Sequence, residues 1–383
     1  MIKVCVITGG RMDYGHLYKV ISGIKSSKLL DLQIIATCMH LSPEYGNTYK
    51  QIINDGFFID KKVECLISSD TSIGITKSVG LATISFADAY EELKPEIILI
   101  AGDRFELLAA AQAALFSKIP VAHIAGGDTT EGAFDESIRH SITKMSHIHF
   151  VTNDSAERRV CQMGENPDYV FNFGSPTIDY IKDTKFIKKE VLETKLNFKF
   201  MDKNILFTYH PVTLQTLSNE YQIKEVIAAL KHFADKYGII ITKSNADNDG
   251  YLINKYLEDF SNKYANVICF DALGQFLYYN LMNNVDCMVG NSSSGLYEMP
   301  YFKKPTINIG ERQNGRDKAT SVIDCPVNKS QIINNIEKCL TLKLNEVVNP
   351  YGDGETSKKI VHILENLKFP FQNLQKKFYD FSG

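Results

Sequence analysis

Short apolar runs alternate with amphipathic stretches from one end of the chain to the other. In the first half, continuous apolar runs at Ile2–Thr8, 32–37, 97–101, 121–124, 148–151 and 169–173 predict strands. Runs of that length and composition suit strands buried on both faces. Helical spacing fills the gaps, as at 77–93 and 105–116. This alternation predicts a parallel sheet with helices on each side. The pattern pauses after Gly174-Ser175-Pro176, where 182–203 is charged and lysine-rich, and then resumes with strands predicted at 204–209, 239–242, 267–270, 287–289 and 306–309. A last helical stretch follows Asn349-Pro350-Tyr351-Gly352-Asp353-Gly354.

The pattern divides the chain into an N-terminal Rossmann-like domain at 1–176, a linker with a peripheral helix at 177–203, a C-terminal Rossmann-like domain at 204–365 and a tail at 366–383. The expected fold class is α/β, two Rossmann-like domains with a central cleft. Ligands of open parallel sheets bind beyond the carboxyl ends of the strands, and the polar, glycine-rich segments fall there.

Length agrees: 383 residues exceed one ordinary core and fit two domains of roughly 150–200 residues each. The composition is globular, with 44% hydrophobic and 23% charged residues. No apolar run reaches the roughly 20 residues of a membrane helix, and the N-terminus reads as a buried strand where a leader would carry a longer apolar run. A net charge of -3 argues against a general nucleic-acid binder. The eight cysteines are scattered without a Cys-x-x-Cys pair, as expected of buried, reduced thiols in a cytoplasmic protein. Of 42 basic residues, Arg11, Arg104, Arg139, Arg158, Arg159, Arg312 and Arg316 are the arginines. Five of these fall in glycine-rich or acidic segments, and arginine is the better planar fork for phosphate or carboxylate.

Six segments carry candidate chemistry. Thr8-Gly9-Gly10-Arg11-Met12-Asp13-Tyr14-Gly15 follows the first strand and suits a phosphate at a helix start, although it is not the Gly-x-Gly-x-x-Gly fingerprint and no acid ends the second strand. Gly102-Asp103-Arg104-Phe105-Glu106 exposes an acid beside an arginine, unless Asp103 merely caps a helix. The run from His123-Ile124-Ala125-Gly126-Gly127-Asp128 to Phe134-Asp135-Glu136-Ser137-Ile138-Arg139-His140 gathers titratable groups within little more than a helical turn. Asp135 and Arg139 share a face there, and acid–base work needs such proximity. Thr208-Tyr209-His210-Pro211-Val212-Thr213 ends the first strand of the second domain with a histidine placed to meet a ligand. Gly290-Asn291-Ser292-Ser293-Ser294-Gly295, then Glu298, offers hydroxyls and free N–H groups at a helix start; plain N-capping is the bland alternative. Gly310-Glu311-Arg312-Gln313-Asn314-Gly315-Arg316 is either a surface loop or a pyrophosphate contact. The histidines lack metal-ligand spacing, so no metal is expected.

Taken in order, these segments resemble the hydrolysing UDP-N-acetylglucosamine 2-epimerases of sialic acid biosynthesis. The likeness rests on Gly102-Asp103-Arg104, on 135–144, on His210-Pro211-Val212-Thr213, on 290–295 and on Gly310-Glu311-Arg312-Gln313, and spans nearly the whole chain. It implies a glycosyltransferase-B-like fold, no cofactor, and a homodimer or homotetramer. It also implies anti elimination of UDP to 2-acetamidoglucal, followed by hydration to N-acetylmannosamine. By the resemblance, UDP and substrate are held by Arg11, Arg104, His210, Ser292, Ser293, Ser294, Gly295, Glu298 and Arg312. Asp103, Asp135 and Glu136 are the acid–base candidates, with Arg139 and His210 beside them in the catalytic set.

One position departs from that pattern. Many relatives read His-Ile-Glu-Gly-Gly where this chain has His123-Ile124-Ala125-Gly126-Gly127, so Ala125 replaces a glutamate often given a catalytic role. Asp128 and His140 are the reserves. The departure, with 40–46 and Ser244-Asn245-Ala246-Asp247, resembles the branch acting on UDP-N,N'-diacetylbacillosamine in legionaminic acid synthesis. The two substrates differ at C4 and C6 of the sugar, and both readings stay open. A UDP-sugar glycosyltransferase of the same fold would transfer the sugar to an acceptor without eliminating it. A non-catalytic nucleotide-sugar sensor would have no use for the acid cluster.

Overall fold

The computed structural model describes every residue except 68–70, 131–134, 213–216, 245–249, 369–370, 372–373 and 381–383. Chain contacts group the molecule into two compact units. One takes in Met1–Thr129, Phe134–Lys182 and Tyr351–Gly383; the other takes in Thr130–Ala133 and Asp183–Pro350.

The first unit is built on seven parallel strands: β1 Ile2–Thr8, β2 Leu30–Thr37, β3 Lys61–Val63, β4 Ile97–Ala101, β5 Val121–Ile124, β6 Ile148–Val151 and β7 Val170–Asn172, in spatial order β3-β2-β1-β4-β5-β6-β7. Side chains of a strand point alternately to its two faces, and both faces here are core. Val4 and Val6 pack on one side with Ile97 and Leu99, while Cys5 and Ile7 pack on the other with Ile98 and Ile100. All eight are fully buried, which explains the continuous apolar runs in the sequence.

The second unit repeats the plan with six parallel strands: β8 Asn204–Thr208, β9 Gly238–Thr242, β10 Val267–Phe270, β11 Cys287–Gly290, β12 Thr306–Ile309 and β13 Val322–Cys325, in order β10-β9-β8-β11-β12-β13. Each unit therefore has the doubly wound order, with its direction of winding reversing between β1 and β4 and again between β8 and β11. Ligands of such sheets bind outside the carboxyl ends of the strands at that switch. The parallel sheet expected to place Gly10, Asp103 and Gly126 after carboxyl ends does so, after β1, β4 and β5.

Two edge strands escape the sequence pattern. β3 is Lys61-Lys62-Val63 and β13 includes Asp324. Each has a single neighbour strand and needs no continuous apolar run.

The division by pattern also carries the second domain through 365, whereas the chain returns to the first unit at Tyr351. The reason lies in the helix Thr356–Glu365. Its Ile360, Val361 and Leu364 are buried in the first unit's core beside Val20, Ile21 and Ile24. Its first turn is held by Asp179, whose carboxylate accepts from the backbone N–H groups of Thr356 (3.0 Å) and Ser357. An acid on free N–H groups at a helix start is a stabilising partner for the helix dipole.

Among the described residues no helix is long and apolar enough to cross a membrane. The eight cysteines are unpaired, and all but Cys269 are buried.

Candidate active site

In the first unit, the turn after β4 places Asp103 and Arg104 at the switch point. Gly102 enters it with φ +90°. Arg104, not Asp103, occupies the N-cap of the helix Phe105–Phe116. The Asp103 carboxylate pairs with the Arg139 guanidinium. Arg139 comes from the helix Asp135–Met145 and is 2% exposed. It also donates to Glu136 Oε2 (3.2 Å) and to the Asp128 carbonyl (2.7 Å). The second oxygen of Glu136 lies 3.1 Å from His140 Nε2. One buried guanidinium thus holds two carboxylates from different elements, the geometry that the planar fork of arginine favours. Asp135 opens the same helix, half-buried.

Asp128 accepts from Thr152 (2.7 Å) and Asn153 (3.0 Å) through one carboxylate oxygen and is 5% exposed. Those bonds anchor its loop to the end of β6. Ala125 sits at φ +62° between β5 and that loop.

The turn after β1 carries a second group of charges. Arg11 begins the helix Arg11–Ser26 and is exposed. Asp13 accepts from the Gly9 N–H (3.2 Å). Burial, reinforced by the Glu106 charge, pushes the Asp13 carboxyl up to about 7 against the opposing pull of Arg104. Glu106 is fully buried, one oxygen lying 3.5 Å from Arg104 Nε and the other without a hydrogen-bond partner among the described residues. The sequence motifs contain Asp13 and Glu106 but give no sign that burial would bring them together.

In the second unit, Asn291 is the centre of the arrangement after β8 and β11. Its side chain accepts from the His210 N–H (2.7 Å) and donates to the His210 carbonyl (2.8 Å). Its own carbonyl accepts from Arg312 (3.1 Å) and Gln313 (2.8 Å). Three segments far apart in sequence are joined by this one buried residue, whose role spacing alone could not reveal. His210 is 8% exposed, with Nδ1 3.3 Å from Ser244 Oγ. Burial, with Arg312 nearby, holds its imidazole down to about 3, so the ring is neutral.

Ser292 is buried, Ser293 and Ser294 half-buried, and Ser294–Tyr297 makes a single helical turn ending at the buried Glu298. Gly295 packs against Thr306 of β12, whose hydroxyl donates to its carbonyl (2.9 Å). Tyr278 stands close by. Burial pushes its phenol up to about 12 despite hydrogen bonds with Ser294 and Thr208. Arg316 lies over the Tyr297 ring (5.6 Å) and donates to Gln313 (2.9 Å).

Of the motif residues, Phe134, Thr213 and 245–247 lie outside the described residues. Among the described residues no group of three His, Cys, Asp or Glu side chains is placed to hold a metal ion.

Each unit, taken by itself, presents charged and polar groups at its switch point. Hydroxyls, a neutral histidine and an arginine in the second suit a phosphorylated ligand. Paired carboxylates on a guanidinium in the first suit proton transfer.

A family model described as UDP-N-acetylglucosamine 2-epimerase matches residues 22–365. The chain is 43% identical over 85% of both lengths to a Campylobacter jejuni protein named GDP/UDP-N,N'-diacetylbacillosamine 2-epimerase (hydrolyzing). It is 33% identical over 98% of both lengths to the Legionella pneumophila UDP-N,N'-diacetylbacillosamine 2-epimerase (hydrolyzing). The fold matches the crystal structure of UDP-GlcNAc 2-epimerase from Neisseria meningitidis bound to UDP-GlcNAc, with a TM-score of 0.80 at 19% identity, covering 95% of this chain and 99% of that one.

Proposed function

This chain belongs to the UDP-N-acetylglucosamine 2-epimerase family, and we propose that it is a hydrolysing 2-epimerase whose sugar is N,N'-diacetylbacillosamine carried on UDP. The observation that carries the choice of sugar is the pair of relatives named for it, 43% and 33% identical.

The chemistry fits the groups available. A carboxylate takes the proton from C2, the C2–H electrons form the C1=C2 bond, and the C1–O bond breaks with its electrons on UDP. Water then adds to C1 and a proton returns to C2 on the opposite face. The products are UDP and the 2-epimeric free sugar, with one water consumed. The C2 proton is not α to a carbonyl, so stabilising the departing UDP matters as much as the base. Ser292, Ser293, Ser294, Gly295, Glu298, Arg312 and the neutral His210 are assigned to the nucleotide, and Arg11 and Arg104 to its phosphates and sugar. Asp103 and Glu136 on Arg139, with Asp135 at the helix start, are assigned to the proton transfers. Glu136 has His140 on its second oxygen, which gives its proton a way out. Ala125 has no acid to offer, and Asp128 is committed to Thr152 and Asn153.

The test is incubation of the protein with UDP-N,N'-diacetylbacillosamine, its GDP counterpart and UDP-N-acetylglucosamine, each in deuterated water. The expected result is the highest kcat/KM on the first, with UDP released and deuterium at C2 of the 2-epimeric sugar. A higher kcat/KM on UDP-N-acetylglucosamine would overturn the choice of sugar, and N-acetylmannosamine would then be the product. Transfer of an unlabelled sugar to an acceptor would overturn the reaction itself.

A further inference from the structure

The motif His123-Ile124-Ala125-Gly126-Gly127 has no part in the roles assigned above, yet its histidine is fully buried at the end of β5. His123 Nε2 lies 2.8 Å from the carbonyl of Gly102, and Nδ1 lies 3.3 Å from the Thr143 hydroxyl. That hydroxyl is in turn 3.0 Å from the Arg139 carbonyl. A carbonyl can only accept, so Nε2 carries a proton and donates. Burial holds the imidazole down to about 4. The ring is therefore neutral, and its bare Nδ1 faces the Thr143 hydroxyl, whose one proton serves either Nδ1 or the Arg139 carbonyl.

The two ends of this link are informative. Gly102 opens the turn that delivers Asp103, and Arg139 is the residue that grips Asp103 and Glu136. A Cβ on Gly126 would lie 2.8 Å from both His123 Nδ1 and Thr143 Oγ1. A glycine three residues after the histidine is what leaves room for the pair.

We propose that His123 is a positioning residue. With Thr143 it fixes the spacing between the Asp103 turn and the Arg139 helix, and thereby the geometry of the carboxylate–guanidinium cluster, without itself meeting substrate. The inference rests on the proton-transfer role proposed for that cluster.

The test compares His123→Leu with His123→Gln, and Thr143→Val with Thr143→Ser, after thermal melts show which variants fold. Misplacing reacting groups by a fraction of an ångström costs on the order of tenfold to a hundredfold in rate. His123→Leu and Thr143→Val are expected to lower kcat by that much, with C2 deuterium incorporation falling in parallel. KM and UDP affinity should stay at wild-type values. Glutamine, whose amide N–H reaches where Nε2 does, and serine, which keeps the hydroxyl, should recover most of the loss.

A folded His123→Leu variant with full kcat overturns the proposal, as does a glutamine variant as impaired as the leucine one. Should His123→Leu fail to fold, the Thr143 pair decides by the same criteria. If the wild-type protein turns over none of the sugars, the function reading falls. The nitrogen-15 shifts of His123 then decide the link: a neutral Nε2–H ring persisting down to about pH 5, where an ordinary histidine is charged, supports it, and an imidazolium there overturns it.

Discussion

Arg139 grips two carboxylates at once, and that constrains what each can do. Asp103 and Glu136 both lie against a permanently charged guanidinium. Asparagine at 103 can still accept a hydrogen bond from the guanidinium but cannot take a proton. Asp103→Asn is therefore expected to keep UDP affinity while kcat falls by at least the roughly hundredfold typical of lost acid–base help. Steady-state kinetics beside calorimetry with UDP checks both halves, and an unchanged kcat removes Asp103 from the chemistry. Arg312 belongs to the other kind of residue. Its bond to the Asn291 carbonyl is backed by Gln313, so Arg312→Ala should leave that loop in place. Loss of a charge-assisted phosphate contact then costs about 1.5–3 kcal/mol of UDP binding. Calorimetry showing unchanged affinity would remove Arg312 from the UDP site.

At the scale of elements, the turn after β11 shows how closely backbone segments approach at the switch point. Gly290 has φ +138°, and a Cβ there would lie 1.8 Å from the Thr208 carbonyl oxygen of the neighbouring β8. No L side chain fits either constraint. Gly290→Ala is expected to destabilise the second unit by on the order of 3 kcal/mol or more, read as a lower midpoint in urea, and to displace Asn291 and with it His210. A melt like that of the wild type would mean the two strands can part there. Such contacts mark where sequence reading stops. The central strands were legible because burial on both faces leaves continuous apolar runs, as in Val4-Cys5-Val6-Ile7. The edge strands β3 and β13 were not, because a single neighbour tolerates Lys61, Lys62 and Asp324. Within the candidate site, helical spacing directs attention from Arg139 to Asp135. It is silent about Asp103, thirty-six residues earlier, because that ion pair exists only once β4 and the helix Asp135–Met145 are set side by side. The same holds for Asn291 against His210 and Arg312, and for Glu106 beneath the Gly9 turn.

For the whole molecule, the chain path has a thermodynamic consequence. The polypeptide leaves the first unit at Lys182, builds nearly all of the second, and returns at Tyr351. The second unit from 183 to 350 is thus nearly continuous and has its own buried core around Ile205, Phe207, Ile239, Ile307 and Ile336. The first unit is completed only by residues that follow it. Ile360 and Leu364 are fully buried there, Val361 nearly so. Burying an aliphatic side chain contributes roughly 1.5–3 kcal/mol, so the three together contribute about 5–9 kcal/mol. That rivals the roughly 5–15 kcal/mol by which a typical domain is stable. Ending the chain at Pro350 would also strip the nearly buried Asp179 carboxylate of the Thr356 and Ser357 N–H groups, leaving an acceptor without its donors. A chain of residues 1–350 is therefore expected to lose the first unit's transition, or shift it to much lower urea, while residues 183–350 produced alone unfold in one cooperative step. A peptide of residues 351–383 added in trans should restore part of the first unit's stability, in proportion to its concentration. Urea melts followed by circular dichroism decide the matter: if residues 1–350 melt like the full chain, the last helix contributes little to the first unit's core.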